Sequence, residues 1–366
     1  MKRNLLLLYI LVLPPIITLN AQSCLQDGIR FSSQAQLDSF KINFPNCTKI
    51  LGDVEIWGND ITNLDSLGNL DTIGSDLTII ENPMLISLAG LDSLECIQGS
   101  LRIYGNTVLT NLSGLENLRF IGEWLTIGSL TGGGPGGSTT GNPSLENIAS
   151  LSNLNHIGNR IWIMSNPKLS TLQGLENIDS ISFIVYIRNN GSLKNLEGLS
   201  GLHFVESLSI ERNDSLVELT GLNSSLIIGN NLSIILNSFL STCEEESICK
   251  HLENSGDANI GSNANGCNSE EEVKIACEAV SVEESIYQDD NSFLIYPNPT
   301  KSTLEIRGIE SLNWEYEVFD ISGKLVQRKS LFQENTIDVS KLVDGLYLLK
   351  IQFEDGKSLI RKFVKE

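Results

Sequence analysis

The chain has 366 residues and a formal charge of −20, from 45 acidic and 25 basic side chains, so a polyanion such as nucleic acid is excluded as a partner. Past the first residues no apolar run approaches the ~18 residues that a membrane-spanning helix needs. The charge is uneven: residues 22–292 carry 12 basic and 34 acidic side chains, whereas 293–366 carry 11 of each, which separates an acidic body from a neutral tail.

Residues 1–21 read as a signal peptide, with Lys2 and Arg3 ahead of the apolar run Leu5 to Ile17 and small residues near Ala21. An exported chain with seven cysteines is expected to form disulfides, because that compartment does not keep thiols reduced. Ser33 and Gln36 form a capping-box pattern that opens a helix through Leu37 and Phe40. Cys24 and Cys47 bracket that helix, and a bridge between them would staple an N-terminal cap.

A unit of about 24 residues then recurs eight times. Its steps run Ile56 to Asn59, Ile79 to Asn82, Ile103 to Asn106, Ile163 to Asn166, Ile187 to Asn190, Ile210 to Asn213 and Ile234 to Asn237. In the remaining copy, Leu125-Thr126-Ile127, a Gly-rich insertion from Ser129 to Gly141 delays the Asn to Asn142. Such a period means stacked units that bury their apolar residues only against neighbours. Each copy reads as a short strand, a turn, and apolar residues at every third place, as in Leu85, Leu88, Leu91, Leu94 and Ile97. Gly90, Gly114, Gly174, Gly198 and Gly221 interrupt that ladder, so extended corners and turns are expected there, with a short helical side as the alternative. The Asn column is expected to hold the corner, since Asn tolerates left-handed turns and satisfies unpaired backbone groups.

Strand alternation sends one set of residues outward. Among them Trp57, Arg102, Tyr104, Trp162, Met164, Tyr186 and Arg188 are of types enriched at recognition surfaces, and with the insertion they are the candidate ligand-binding residues. No catalytic constellation appears: His156, His203 and His251 are scattered, and the outward acids Glu55 and Glu211 lie at opposite ends. The chain is therefore expected not to be an enzyme. No cofactor is implied.

Thr242 with Glu245 and Ser269 with Glu272 mark two cap helices. Nearby Cys243, Cys249, Cys267 and Cys277 allow three pairings; Cys243 with Cys267 and Cys249 with Cys277 would tie one helix to the other. A zinc site lacks the close Cys-x-x-Cys pairs it would need, so no metal is expected, and Cys96 is left as a free thiol. Residues 279–292, acidic and polar, read as a linker.

The repeat Leu-x-x-Leu-x-Gly-Leu-x-x-Leu, followed by Ile, Gly and Leu-x-Ile-x-x-Asn, resembles the receptor L domain. The resemblance covers 22–278 with its caps and implies a mainly β fold: a right-handed parallel β-solenoid of about eight turns whose usual role is binding. The tail 293–366 alternates apolar and polar residues between Gly turns, as in a small antiparallel β-sandwich. Its Tyr296-Pro297-Asn298-Pro299-Thr300, Leu304-Glu305-Ile306, Gly323-Lys324, Asp344-Gly345-Leu346-Tyr347 and Lys362-Phe363-Val364-Lys365 resemble the type IX secretion C-terminal sorting domain.

That second resemblance implies delivery by the type IX machinery to the surface or medium, with cleavage of the tail and attachment of the cargo to surface lipopolysaccharide as a known fate in the family. The expected role is that of an exported binding or adhesion protein for a protein or glycan ligand. The alternatives are a polysaccharide-processing β-helix enzyme and a purely architectural surface protein. Asp-Ser-Leu triplets make Ser66, Ser93 and Ser215 candidates for O-glycosylation.

Overall fold

The computed structural model describes residues 22–129, 141–254, 256–287, 294–307, 313–320, 324–332, 335–353 and 358–366. The expected signal peptide and the insertion residues 130–140 lie outside them. The chain divides into two compact units, Met1–Lys274 and Ile275–Glu366.

The first unit is built from two parallel sheets that the same chain feeds in alternation. Its ten-stranded sheet takes, in chain order, Ile29–Phe31, Val54–Ile56, Leu77–Ile80, Leu101–Tyr104, Trp124–Ile127, Arg160–Met164, Ser180–Arg188, Phe204–Glu211, Ile227–Ile235 and Asp257–Gly261. The six-stranded sheet takes the short strands between them, from Gln22–Cys24 to His156–Ile157. From Ser180 onward one long strand per pass runs through both places, with a register break between Ile181 and Ile184.

Register aligns like with like: Ile79, Ile103, Ile127, Ile163, Ile187, Ile210, Ile234 and Ile260 are consecutive partners across the sheet. All but Ile260 are fully buried, so each pass closes the core of the one before it. The expected inward and outward assignment of the strand residues follows from this column.

The three-residue ladder forms turns, as expected, and not extended corners. Leu91 N–H bonds the Leu88 carbonyl at 3.1 Å and Leu94 N–H the Leu91 carbonyl at 2.9 Å, so successive i to i+3 turns bring every third residue to one side. In three copies the turns tighten into 3-10 helices, Asp65–Leu67, Ala149–Leu151 and Glu197–Leu199. At Gly114 the backbone takes φ +112°, and a Cβ would lie 2.1 Å from the Leu88 carbonyl oxygen of the preceding pass. Only glycine meets both conditions.

The Asn column is a hydrogen-bonded spine. Asn106 N–H bonds Asn142 Oδ1 at 3.2 Å, Asn142 N–H bonds Asn166 Oδ1 at 3.1 Å, and Asn166 N–H bonds Asn190 Oδ1 at 3.2 Å. Each side-chain amide also donates back to a strand carbonyl, as Asn166 Nδ2 does to Ile127 O at 3.0 Å. The insertion does not interrupt the spine, and Asn263 extends it into the C-terminal cap by accepting from Asn237 N–H at 2.9 Å.

Two expectations about that column are corrected. Asn59 is exposed and outside the spine, because the first copy is a residue short and Asn82 takes the Gly58 N–H instead, at 2.9 Å. The left-handed residue is the one before the Asn, as at Glu81, Ser165 and Arg212, with φ of 48°, 57° and 53°. The Asn itself is chosen for its amide.

At the N-terminal end the helix Gln34–Asn43 is capped by Ser33 and buries Leu37 and Phe40, and Cys24 is bonded to Cys47. At the other end the helix Glu246–Glu253 begins later than the Thr242 pattern predicts. Its N-cap is Glu245, with no side-chain cap bond, and Glu244 turns back to accept from Cys243 N–H at 2.9 Å. The Ser269 cap forms, accepting from Glu272 N–H at 3.2 Å. Cys243 is bonded to Cys267, Cys249 and Cys277 are each disulfide-bonded, and Cys96 is free. The last helix, Glu270–Tyr287, makes the expected linker helical as far as Tyr287.

The second unit contains two antiparallel sheets. Three strands, Leu294–Tyr296, Thr303–Arg307 and Thr336–Asp338, form one, and four form the other in the order Leu325–Phe332, Asn313–Asp320, Gly345–Phe353, Ser358–Lys365. Leu304, Ile306, Tyr316, Val318, Leu349 and Phe363 from both sheets share one buried cluster.

Candidate recognition face

Because alternate residues of each long-sheet strand point inward, the outer face carries three rows of side chains with rungs ~4.8 Å apart. The central row runs Arg30, Glu55, Thr78, Arg102, Thr126, Trp162, Tyr186, Ser209, Ser233 in register. One flanking row includes Tyr104, and Met164 beside Arg188 and Glu211; the other contains Trp124, Arg160 and Ile184. Register thus gathers Arg102, Tyr104, Trp162, Met164, Tyr186 and Arg188 on four neighbouring positions of the sheet. Trp57 lies two strands beyond Tyr104, where Arg30 covers its ring at 4.4 Å.

Met164 does not belong to an exposed surface. It is 4 % exposed, flanked in register by the long Arg188 side chain, so it fills the face rather than presenting itself. Tyr186 and Arg188 are half-buried and paired with each other and with Glu211, although Arg188 Nε is buried without a partner. Arg188 donates to the Tyr186 hydroxyl at 2.7 Å and pairs with Glu211 at 3.1 Å, while the Tyr186 hydroxyl donates to the same carboxylate at 3.0 Å. Burial raises the Tyr186 phenol above its ordinary pKa, and the hydrogen bond to Tyr186 raises that of Arg188, which keeps this corner a neutral phenol beside a fixed ion pair. Arg102 is likewise paired, with Asp76 at 2.5 Å.

A tighter cluster includes residues that are not among the expected ligand-binding ones. The Arg160 guanidinium carbon stands 4.3 Å from the ring centre of Trp124, 5.3 Å from that of Trp162 and 4.8 Å from that of Phe183. The two indoles are 6.2 Å apart at 34°. The signal was in the sequence: Trp124 and Arg160 stand one residue before the inward Leu125 and Ile161, so alternation turns them outward too. Trp124 Nε1, Trp162 Nε1 and Arg160 Nε are buried with no hydrogen-bond partner. Arg160 has no acidic partner among the described residues, whereas Arg30, Arg102 and Arg188 on the same face each have one.

Glu55 and Glu211 are six strands apart, ~29 Å, and each is bound to an arginine. Paired carboxylates that cleave glycosidic bonds stand within about 10 Å of each other. The histidines also lie apart. His156 stacks on Phe120 at 4.6 Å, His203 pairs with Asp179 at 3.0 Å, and His251 sits in the C-terminal cap with its ring nitrogens 3.2 Å from the Ile228 and Asp257 carbonyls. The hydroxyls of Ser93 and Ser215 donate to the Gly68 and Gly191 carbonyls of the preceding copy.

Residues 46–174 match the receptor L domain family, and residues 294–366 match the secretion system C-terminal sorting domain. The chain joins a receptor L domain to a type IX sorting domain. The first match is shorter than the structural repeat, which continues through Ile227–Ile235. No curated protein matches the chain. The sorting domain makes this an exported protein of the cell surface or medium that engages the type IX secretion machinery.

Proposed function

We propose that the protein is a non-enzymatic binding or adhesion protein whose L domain is a right-handed β-solenoid of about eight turns, presenting the long-sheet face to a partner outside the cell. The observation that carries this reading is the Trp124, Arg160, Trp162 and Phe183 cluster, where aromatic rings gather around a guanidinium on a face whose other arginines are each paired with an acid. Aromatic and arginine side chains supply most of the energy at recognition surfaces, through large rigid contact area and planar donors. The same face without this cluster would fit the architectural alternative better, and one with adjacent acids would fit a glycosidase. The tail is removed at the outer membrane, and the cargo is released or attached to surface lipopolysaccharide.

The test is a glycan and host-protein array probed with the exported chain and with Trp124→Ala, Trp162→Ala and Tyr186→Ala. The two tryptophan variants are expected to lose at least tenfold in affinity at an unchanged melting temperature. Binding unaltered in both would overturn the assignment of the face.

A further inference from the structure

On a face where every other arginine is neutralised by an acid one strand away, Arg160 is the exception, in a domain that has acids to spare. Its neighbours Ile184 and Trp124 in register are apolar, and the rings of Trp124, Trp162 and Phe183 surround its guanidinium. Stacked rings occupy the faces of a guanidinium and leave its in-plane N–H donors for an acceptor. None of the Arg160 nitrogens has an acceptor among the described residues, and its Nε is buried without one. A group that has lost water without gaining a partner is a standing cost that a planar, bidentate anion relieves.

Resting on the proposed use of this face, we propose that Arg160 reads a single carboxylate on an otherwise uncharged oligosaccharide. The indoles of Trp124 and Trp162 offer a platform 6.2 Å between centres for the apolar face of a sugar ring, next to the cation. Three features select this ligand chemistry. The strands that carry the cluster are hydrogen-bonded on both sides, so no free main chain is offered to an extended peptide. The excess of acids over residues 22–292 repels a dense polyanion, whose charges would extend past the one unpaired arginine. An isolated carboxylate, by contrast, feels chiefly its nearest cation, because charges beyond about 8 Å are screened at physiological salt.

The experiment is a titration of the full exported chain with oligosaccharides ending in one sialic or uronic acid, each paired with its uncharged methyl ester, together with heparin and an acidic peptide. The free acids are expected to bind about ten- to a hundredfold more tightly than their esters, the range of one charge-assisted contact. Arg160→Gln should bring acid and ester to the same weak affinity, and Arg160→Lys should keep part of the difference; near-native melting temperatures in both separate this from misfolding. Equal binding of acid and ester by the wild type, a preference retained in Arg160→Gln, or tighter binding of heparin or peptide would overturn the proposal. Equal binding that Trp162→Ala abolishes would overturn the carboxylate alone and leave the face standing, whereas no binding of any sugar overturns the oligosaccharide assignment.

Discussion

Replacing Asn166 by Ala tests whether the amide spine, and not apolar stacking alone, holds the passes in register. Asn166 is fully buried and accepts from Asn142 N–H at 3.1 Å, while its Nδ2 donates to the carbonyls of Ile127 and Met164 at 3.0 Å each. Truncation strands at least the Asn142 N–H and the Ile127 carbonyl in a site that water does not reach. At about 1–3 kcal/mol for each buried group left unsatisfied, the loss is about 2–6 kcal/mol, a large part of the stability of an ordinary domain. Asn59, aligned with it in sequence but exposed, is the control, and Asn59→Ala should stay within about 0.5 kcal/mol. Urea denaturation followed by tryptophan fluorescence gives both values, and hydrogen exchange at Asn142 reports the spine directly. If the two variants differ by less than about 1 kcal/mol, or Asn142 keeps its protection in Asn166→Ala, the spine does not carry the register.

Gly114→Ala, at φ +112° with a Cβ 2.1 Å from a backbone oxygen, should lower stability by about 2–4 kcal/mol, while Gly191→Ala, with nothing within 4 Å, should be neutral by the same denaturation assay. Burial and then the charges of Glu218 and Glu244 raise the pKa of Glu245, so the folded state holds its proton more tightly than the unfolded one; stability from this group is full below the ordinary carboxylate value and is lost as pH rises through the folded value. Glu245→Gln should therefore raise the melting temperature at pH 7 and give no gain at pH 3.5. Removing the Cys243–Cys267 bridge, which spans 24 residues, by serine at both positions should cost about 3 kcal/mol, read by denaturation under non-reducing conditions. Truncation before Leu294 should leave the L domain inside the outer membrane, as cell fractionation would show, because the sorting domain carries the export signal.

Periodicity made the scaffold legible because one physical requirement repeats in every copy. The inward isoleucines, the ladder leucines and the buried Asn column could be read from a single aligned unit. What the sequence hid were local choices that spacing alone does not encode. Asn59 matches the pattern and falls outside the spine, since the first copy lacks the left-handed residue that turns Glu81 and its counterparts before the Asn. Thr242 and Glu245 have capping-box spacing, but Glu244 takes the backbone donor at Cys243 and the helix starts later. On the face, Met164 has the alternation of an exposed residue and is buried by its neighbours, whereas Trp124 and Arg160 stand one place before the inward pair, at the strand's edge, where alternation has little sequence to show itself.

The spine also lets the proposed recognition be confined to a few copies. Hydrogen bonds through Asn82 to Asn263 fix each strand against the next, so the spacing of outward rows is set by groups that never touch a ligand. Outward side chains are then free to differ from copy to copy without altering the core, and three of the arginines settle into local ion pairs, Arg30 with Glu55, Arg102 with Asp76 and Arg188 with Glu211. A self-paired surface is solvated and weakly adhesive, since exposed pairs contribute little and desolvating them is costly. On the proposed reading, recognition concentrates where pairing fails. That place is Arg160 among its rings, on the strands that flank the Gly-rich insertion, held by a scaffold that continues through the insertion unchanged.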